Sequence, residues 1–268
     1  MKREGIAGEG KSSAAASATA ISIRNCESLA DMQACFELQK ETWNFSDADL
    51  IPVRMFVVAT KIGGQVIGAF DLDRLAGFAI GIPGMRNGCS YLHSHMLAVR
   101  EGYRDAGLGR RLKLAQRDDA LHRGFELMEW TFDPLEIKNA YLNIEKLGAI
   151  ARRYSVNQYG ITSSPLQGGL PTDRLVAEWW LRSKRVETAL EGSARPPFEC
   201  REHIAVPAEI YEWKSAVATR GQALAVQQKN RDHFAQSFAR GLSVLGYERD
   251  ERGSGTFLLG ELDETMRL

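Results

Sequence analysis

The sequence predicts an α+β fold with a smaller α+β segment appended at its C-terminal end, and three observations lead there. Short apolar runs separated by Gly-rich turns crowd the stretch from Val66 to Val99, the pattern of an antiparallel meander. A helix, strand, helix succession follows from Gly107 to Leu147. A charged stretch, Arg182 to Pro197, then separates this region from a second group of helical and extended segments.

The 268-residue chain is 44% hydrophobic and 25% charged, the composition of an ordinary globular protein that can bury a core without staples. Lys plus Arg balances Asp plus Glu at 34 each, so no global field draws the chain to nucleic acid or an anionic membrane. Cys26, Cys35, Cys89 and Cys200 are scattered without a Cys-x-x-Cys pair, which suggests neither a zinc knuckle nor a disulfide framework and fits a reduced cytoplasm. No stretch approaches the roughly 18 apolar residues of a membrane span. Residues 1–20 are Gly, Ala and Ser with a few charges, lack the apolar centre of a signal peptide, and read as a disordered tail.

Order begins at a short strand, Ile21 to Arg24. A helix follows from Ser28 to Trp43, with Leu29, Met32, Cys35, Phe36 and Trp43 at helical spacing and Leu38 off the stripe. Pro52 to Ile62 is ambiguous, because Val57 and Val58 favour a strand while Pro52 suits a helix start. Extended runs come next at Val66 to Phe70, Gly77 to Ile82 and Tyr91 to Val99, with a turn at Arg86 to Gly88. Gly107 to Arg123 reads as a helix, Leu127 to Phe132 as a strand, and Pro134 to Leu147 as a helix capped by Asp133 and Glu136 and stopped at Gly148. Strands are expected at Ala151 to Gln158 and Leu175 to Leu181, flanking the Gly/Ser/Pro-rich segment Gly160 to Pro171. Residues 183–197 read as a linker. The appendage, 198–268, holds an extended run at His203 to Val206, a mostly helical region from Ala208 to Arg240, and extended runs at Leu242 to Tyr247 and Thr256 to Leu259.

The richest local signal is Arg104 to Gly109, where glycines sit between a strand and a helix start. The first turn of a helix carries unpaired N–H groups and the positive end of the dipole, so an anion can be held there by backbone. Gly107 and Gly109 permit close approach around Leu108, and Arg104, Arg110, Arg111 and Lys113 are near enough to add charge. A dinucleotide fingerprint would need glycine where Leu112 stands, and the spacing before Lys113 is not that of a Walker loop.

The loop resembles instead that of the GNAT superfamily of acyl-CoA N-acyltransferases, Arg/Gln-x-x-Gly-x-Gly/Ala, matched by Arg104, Gly107 and Gly109. A second match is the helix "N-A … E-K-L-G", here Asn139-Ala140 and Glu145-Lys146-Leu147-Gly148. The runs HSHMLAV, EWTFDPL and PTDRLVAEWW look like a subgroup of predicted acetyltransferases. The resemblance covers about Ile21 to Leu181. It implies a mixed, mostly antiparallel central sheet flanked by helices, with 21–182 as an acyl-CoA-binding catalytic domain. It further implies that the pantetheine arm of acetyl-CoA or another acyl-CoA lies between the strands Tyr91 to Val99 and Leu127 to Phe132, bonded near Leu97 and Val99 and touched by Asn139. The expected reaction is acyl transfer to a small amine or amino acid, with acetyl-CoA the default donor and succinyl-CoA an alternative.

Ile144 stands where many members of the family carry a tyrosine that protonates the leaving thiolate, so the usual acid is missing. Tyr141, on the same stripe, is a candidate acid or else a core residue. His93 and His95 face one way at a strand's period of two and titrate near neutrality, and His95 is the favoured base. The pair lacks a visible third metal ligand, so no metal is expected. Glu129 is a second candidate base or else an arginine partner. Of Trp179 and Trp180, one is expected in the core and one in the acceptor pocket, and Gly160 to Pro171 is a candidate lid. Two other classes stay open: a CoA-binding sensor without catalysis, and a C-terminal assembly element, in a homodimer, with Phe234 and Phe238 docking on another subunit.

Overall fold

A computed structural model describes residues 21–160, 162, 164 and 167–263. The tail expected over 1–20 lies outside the described residues.

Ten strands make one sheet in the order β1-β2-β3-β4-β5-β7-β6-β9-β10-β8. They are β1 Ile21–Asn25, β2 Gln65–Asp71, β3 Arg74–Arg86, β4 Cys89–Val99, β5 Leu127–Phe132, β6 Ile150–Ser155, β7 Arg174–Trp180, β8 Glu202–Val206, β9 Leu242–Arg249 and β10 Gly255–Glu261. Every pairing is antiparallel except β4 with β5. The expected mixed, mostly antiparallel sheet is therefore present. Asn87 and Gly88 both take positive φ, 51° and 77°, which lets a two-residue turn close the long β3–β4 hairpin.

Helices α1 (Leu29–Trp43) and α2 (Val53–Lys61) cover one face of β2 to β4, burying Met32, Cys35, Leu38 and Phe56 against Phe78, Ile80 and Ala98. The capping box of α1 is complete: the Ser28 side chain accepts from the Asp31 amide, and Asp31 reaches back. The buried stripe differs from the expected one, for Leu38 is fully buried while Leu29 is 69% exposed. Gln39 explains the shift, since its amide brackets the Ile51 backbone at 3.0 and 3.1 Å and draws that side of the helix inward. Pro52 caps α2, so the ambiguous stretch is helical.

Helix α3 (Leu108–His122) covers the opposite face, with Leu108 and Leu112 on Ile67, Ala69, Ala76 and Ala79. The helix expected from Pro134 begins later, at Ile137. Asp133 closes a turn onto the Leu135 amide instead, at 2.8 Å, because Lys214 from α6 (Ile210–Ser215) draws the Asp133 and Glu136 carboxylates to itself at 3.0 and 2.6 Å. After α4 (Ile137–Tyr141) the helix widens to a π turn over Leu142–Lys146, ending at Gly148 with φ 74°.

The stretch read as a linker contains α5 (Lys184–Glu191), capped by Ser183. The side chain of Arg185 explains why it is ordered: it bonds the Gly148 and Leu245 carbonyls at 3.1 and 2.7 Å. Strands β8 to β10 continue the same sheet through the Ala151–Val244 pair of β6 and β9. Helix α7 (Arg220–Ala239) lies over them, and Phe234 is fully buried between Tyr154, Phe238 and Phe257. This corrects the docking role expected for Phe234, whose apolar surface is already spent inside its own chain.

Candidate active site

Strands β4 and β5 pair only at Leu92–Met128 and His93–Glu129. Beyond His93, β4 runs on to Val99 while β5 diverges, which opens a wedge in the middle of the sheet. A bulge accompanies it: Ile80 pairs with Met96 and Gly81 with Ser94, so His95 is the extra residue. The insertion reverses the faces of the strand. Ser94 meets α3, and past the bulge Leu97 and Val99, not Met96 and Ala98, pack on the α3 side.

The wedge ends at the Arg104 to Gly109 loop. Gly107 is the N-cap of α3 with φ 75°, and the first intrahelical bond runs from the Arg111 amide to the Gly107 carbonyl. The amides of Leu108, Gly109 and Arg110 thus precede the helical ladder and point outward along the dipole. A side chain at Gly107 would meet nothing within 4 Å, and one at Gly109 would stand 3.7 Å from Leu97. The helix start is therefore open on its outer side and presents backbone N–H groups, the kind of feature at which anions are held. Of the four cations expected around it, Arg104 is exposed there, with Nε donating to the Val99 carbonyl at 3.0 Å. Arg110 instead donates to the Leu190 carbonyl and Arg111 to that of Ile21, which ties the helix to its neighbours. Asn139 is exposed on α4.

Lys113 points the other way, into the wedge. It is 6% exposed, its Nζ donating to Ser94 Oγ at 2.8 Å and lying 3.7 Å above the Trp130 ring. Ser94 in turn donates to Gln116 at 2.8 Å. Burial without a carboxylate partner pulls the Lys113 ammonium well below the usual lysine range. Sequence reading missed this role, because Lys113 follows Arg110 and Arg111 and looks like one more cation near the loop. Its position one residue after the buried Leu112 was the available signal.

On the other side of the sheet the wedge meets a cleft of about 610 Å³. His93 lines it, and burial followed by the adjacent His95 ring lowers its imidazole to about 4. The His95 ring lies 5.9 Å away and does not reach the cleft wall; burial lowers it too. Glu129 also lines the cleft, gripped by both Nη groups of Arg86 and by Arg153 at 2.6 Å. Burial pushes its carboxyl up, but the two guanidinium groups outweigh that and hold it below the usual range. Glu129 is thus an arginine anchor held toward its anionic form, the second of the two alternatives expected for it.

Two further candidates fall elsewhere. The Tyr141 ring is partly buried against the core, with the Lys146 ammonium and the Arg249 guanidinium 5.3 and 5.7 Å from its centroid, the packing its core-residue alternative describes. Trp179 is buried with its indole on the Leu147 carbonyl, and Trp180 is absent from the cleft lining, which Val176 provides from that strand. The described end of the candidate lid is pinned: Gly168 packs on Lys214, and Gln167 donates to the Pro171 carbonyl at 3.0 Å. No group of three or more His, Cys, Asp or Glu suited to a metal occurs among the described residues. None of their helices is long and apolar enough to cross a membrane.

No protein-family profile and no curated protein sequence matches the chain. Solved structures do. A GNAT-family protein from Desulfovibrio desulfuricans superposes with a TM-score of 0.50 at 17% identity, over 60% of this chain and 99% of its own. The ribosomal-protein-S18-alanine N-acetyltransferase from Escherichia coli gives 0.47 at 18% identity, over 59% and 92%. A GNAT family acetyltransferase from Elizabethkingia anophelis with acetyl-CoA bound gives 0.44 at 13%, over 60% and 98%. The first superposition establishes the fold of the shared part as that of the GNAT acetyltransferases.

Proposed function

We propose that the chain is an acyl-CoA-dependent N-acyltransferase that uses acetyl-CoA by default, or succinyl-CoA, and acylates a small amine or amino acid by direct attack on the thioester. One observation supports the reading: β4 and β5 separate past their two paired positions, with the glycine loop at the start of α3 beyond the end of β4 and a cleft lined by His93 and Glu129 at the paired positions. A long cofactor with a charged end and a reactive end needs two such compartments with a narrow passage between them.

In this reading the amides of Leu108, Gly109 and Arg110, with Arg104, hold the pyrophosphate. The open edge of β4 near Leu97 and Val99 and the exposed Asn139 line the route of the arm. The amine enters from the cleft, its nitrogen bonds to the acyl carbon, and the carbon–sulfur bond breaks. His93 takes the amine proton directly or through water, with His95 beside it, and the thiolate collects a proton from solvent, as a group of moderate basicity can. An imidazole held near 4 is in its accepting form across the neutral range. His93→Gln is expected to lower turnover by about 10²-fold while leaving CoA affinity intact. Unchanged turnover would remove His93 from the reaction, and the same substitution at His95 measures the contribution of the second ring.

A second reading, a CoA-binding sensor without catalysis, is favoured by one observation: Ile144 is 1% exposed in the core, where related enzymes place an acid. Incubation with acetyl-CoA or succinyl-CoA and a panel of amines separates the two. Release of free thiol with any amine supports the enzyme. A melting shift on CoA with no thiol from any pair supports the sensor.

A further inference from the structure

The geometry points to a carboxylate-bearing substrate, held in the cleft by arginines that the catalytic part and the C-terminal part supply jointly; this rests on the acyltransferase reading. Arg86 from β3, Arg152 and Arg153 from β6 and Arg231 from α7 all line the cleft. Each is anchored from behind by a buried carboxylate. Arg86 and Arg153 hold Glu129, Arg152 and Arg153 hold Glu178, and Arg231 Nε donates to Asp173 at 2.8 Å.

The asymmetry of exposure decides what the cleft presents. The side chains of Glu129, Glu178 and Asp173 are 3%, 1% and 0% exposed, whereas those of Arg86, Arg152, Arg153 and Arg231 are 35%, 33%, 37% and 25% exposed. Negative charge is turned into the protein and positive charge toward the cavity. Four guanidinium groups also outnumber three carboxylates. A guanidinium has five N–H donors in a rigid fork, and Arg231 spends one on Asp173. Ion pairs that served only to neutralise buried acids would need fewer arginines and no common cavity. Carboxylates that fix the orientation of guanidinium forks around an opening are, by contrast, what planar recognition of an incoming carboxylate requires.

Asp173 keeps hydrogen bonds from the Tyr154 hydroxyl and the Asn157 backbone amide without Arg231, so Arg231→Gln leaves its carboxylate hydrogen-bonded, and a melt of the variant checks that it stays folded. The shared chemistry is a carboxylate, and it can arrive on the amine or on the acyl group. The test uses the full-length protein, thiol release, and two matched comparisons: amino acids against their amides with acetyl-CoA, and succinyl-CoA against acetyl-CoA with a neutral amine. A preference of about tenfold or more in kcat/KM for the anionic member is expected in one comparison, which identifies the source, and Arg231→Gln brings that ratio toward one. Equal rates within both pairs, or a ratio that Arg231→Gln leaves unchanged, overturns the inference. If no pair releases thiol, the acyltransferase reading fails separately. Calorimetric titration of the same amino acids and amides, and of succinyl-CoA and acetyl-CoA, into wild type and Arg231→Gln then decides the carboxylate question: equal binding within both pairs overturns it.

Discussion

A lysine among arginines on a helix carries little information by its type, and Lys113 shows what packing adds. Its ammonium is enclosed by Ser94 and the Trp130 ring rather than by a carboxylate, so the folded protein disfavours its charged form. Lys113→Met preserves length and removes the desolvated amine. The sign of the effect follows from proton counting. Between the lowered folded pKa and the unfolded value near 10.4, the unfolded chain binds a proton that the folded one does not, so wild-type stability rises with pH across that window. The cost of burying the lysine is complete below the window and gone above it. Denaturant unfolding should therefore find Lys113→Met more stable than wild type by on the order of 1–3 kcal/mol at neutral pH, with the gain shrinking toward pH 10. A gain that does not vary with pH would mean that Lys113 is charged when folded. Turnover is expected to fall in the same variant, because the amine faces the wedge in which the thioester is proposed to lie. His93 and His95 make the complementary point. Their rings lie 5.9 Å apart, but the bulge at His95 interrupts the period of two, His93 and not His95 lines the cleft, and a bulge has no signature in this stretch of sequence.

At the scale of elements, the helix that starts at Gly107 rests on two glycines with different jobs. Gly107 holds φ 75° with open space around it, so an added methyl strains the backbone without touching a neighbour. Gly109 has ordinary helical backbone, and a methyl there would lie 3.7 Å from Leu97, a normal contact. Gly107→Ala is thus expected to cost about 1 kcal/mol and to weaken CoA binding about tenfold, whereas Gly109→Ala keeps its melting temperature. Thermal melts with and without CoA read both effects, and equal loss of stability in the two variants would contradict this division. The loop was legible because backbone conformation and glycine placement are local properties. The meander and α3 were legible for a similar reason, their period matching their burial. The start of α4 was not. Asp133, Pro134 and Glu136 satisfy every local rule for a helix N-terminus, and the rule yields to Lys214, which lies 81 positions further along the chain and recruits both carboxylates.

For the whole molecule, the sequence suggests a catalytic part followed by a separable appendage, and the spatial arrangement argues for dependence between them. Residues from both sides of Arg182 share one apolar cluster in which Phe132, Ile137 and Leu175 join Val244, Phe234 and Phe257. Tyr154 of β6 stacks on Phe234 of α7 with ring centroids 5.6 Å apart, and Arg185 ties the end of the π turn to β9. Hydropathy alone shows that each of these residues is apolar, not which partner buries it, so the boundary in composition near residue 182 carried no information about the boundary in packing. Losing a single buried aromatic from such a cluster costs about 3–5 kcal/mol, comparable to the entire margin of a typical domain. Truncation after Arg182 removes many at once and uncovers β6 as a sheet edge. The truncated chain is expected to aggregate, or to melt without cooperativity, and to lose the cleft wall contributed by Arg231, Ala235 and Phe238. Expression of residues 21–182, followed by size exclusion and a CoA melting shift, checks this. A soluble truncation with a cooperative melt would show that residues 21–182 fold alone. In the full-length chain, Phe234→Ala should lower stability by about 3–5 kcal/mol, because the cavity opens inside the shared cluster and not on a surface awaiting a second subunit.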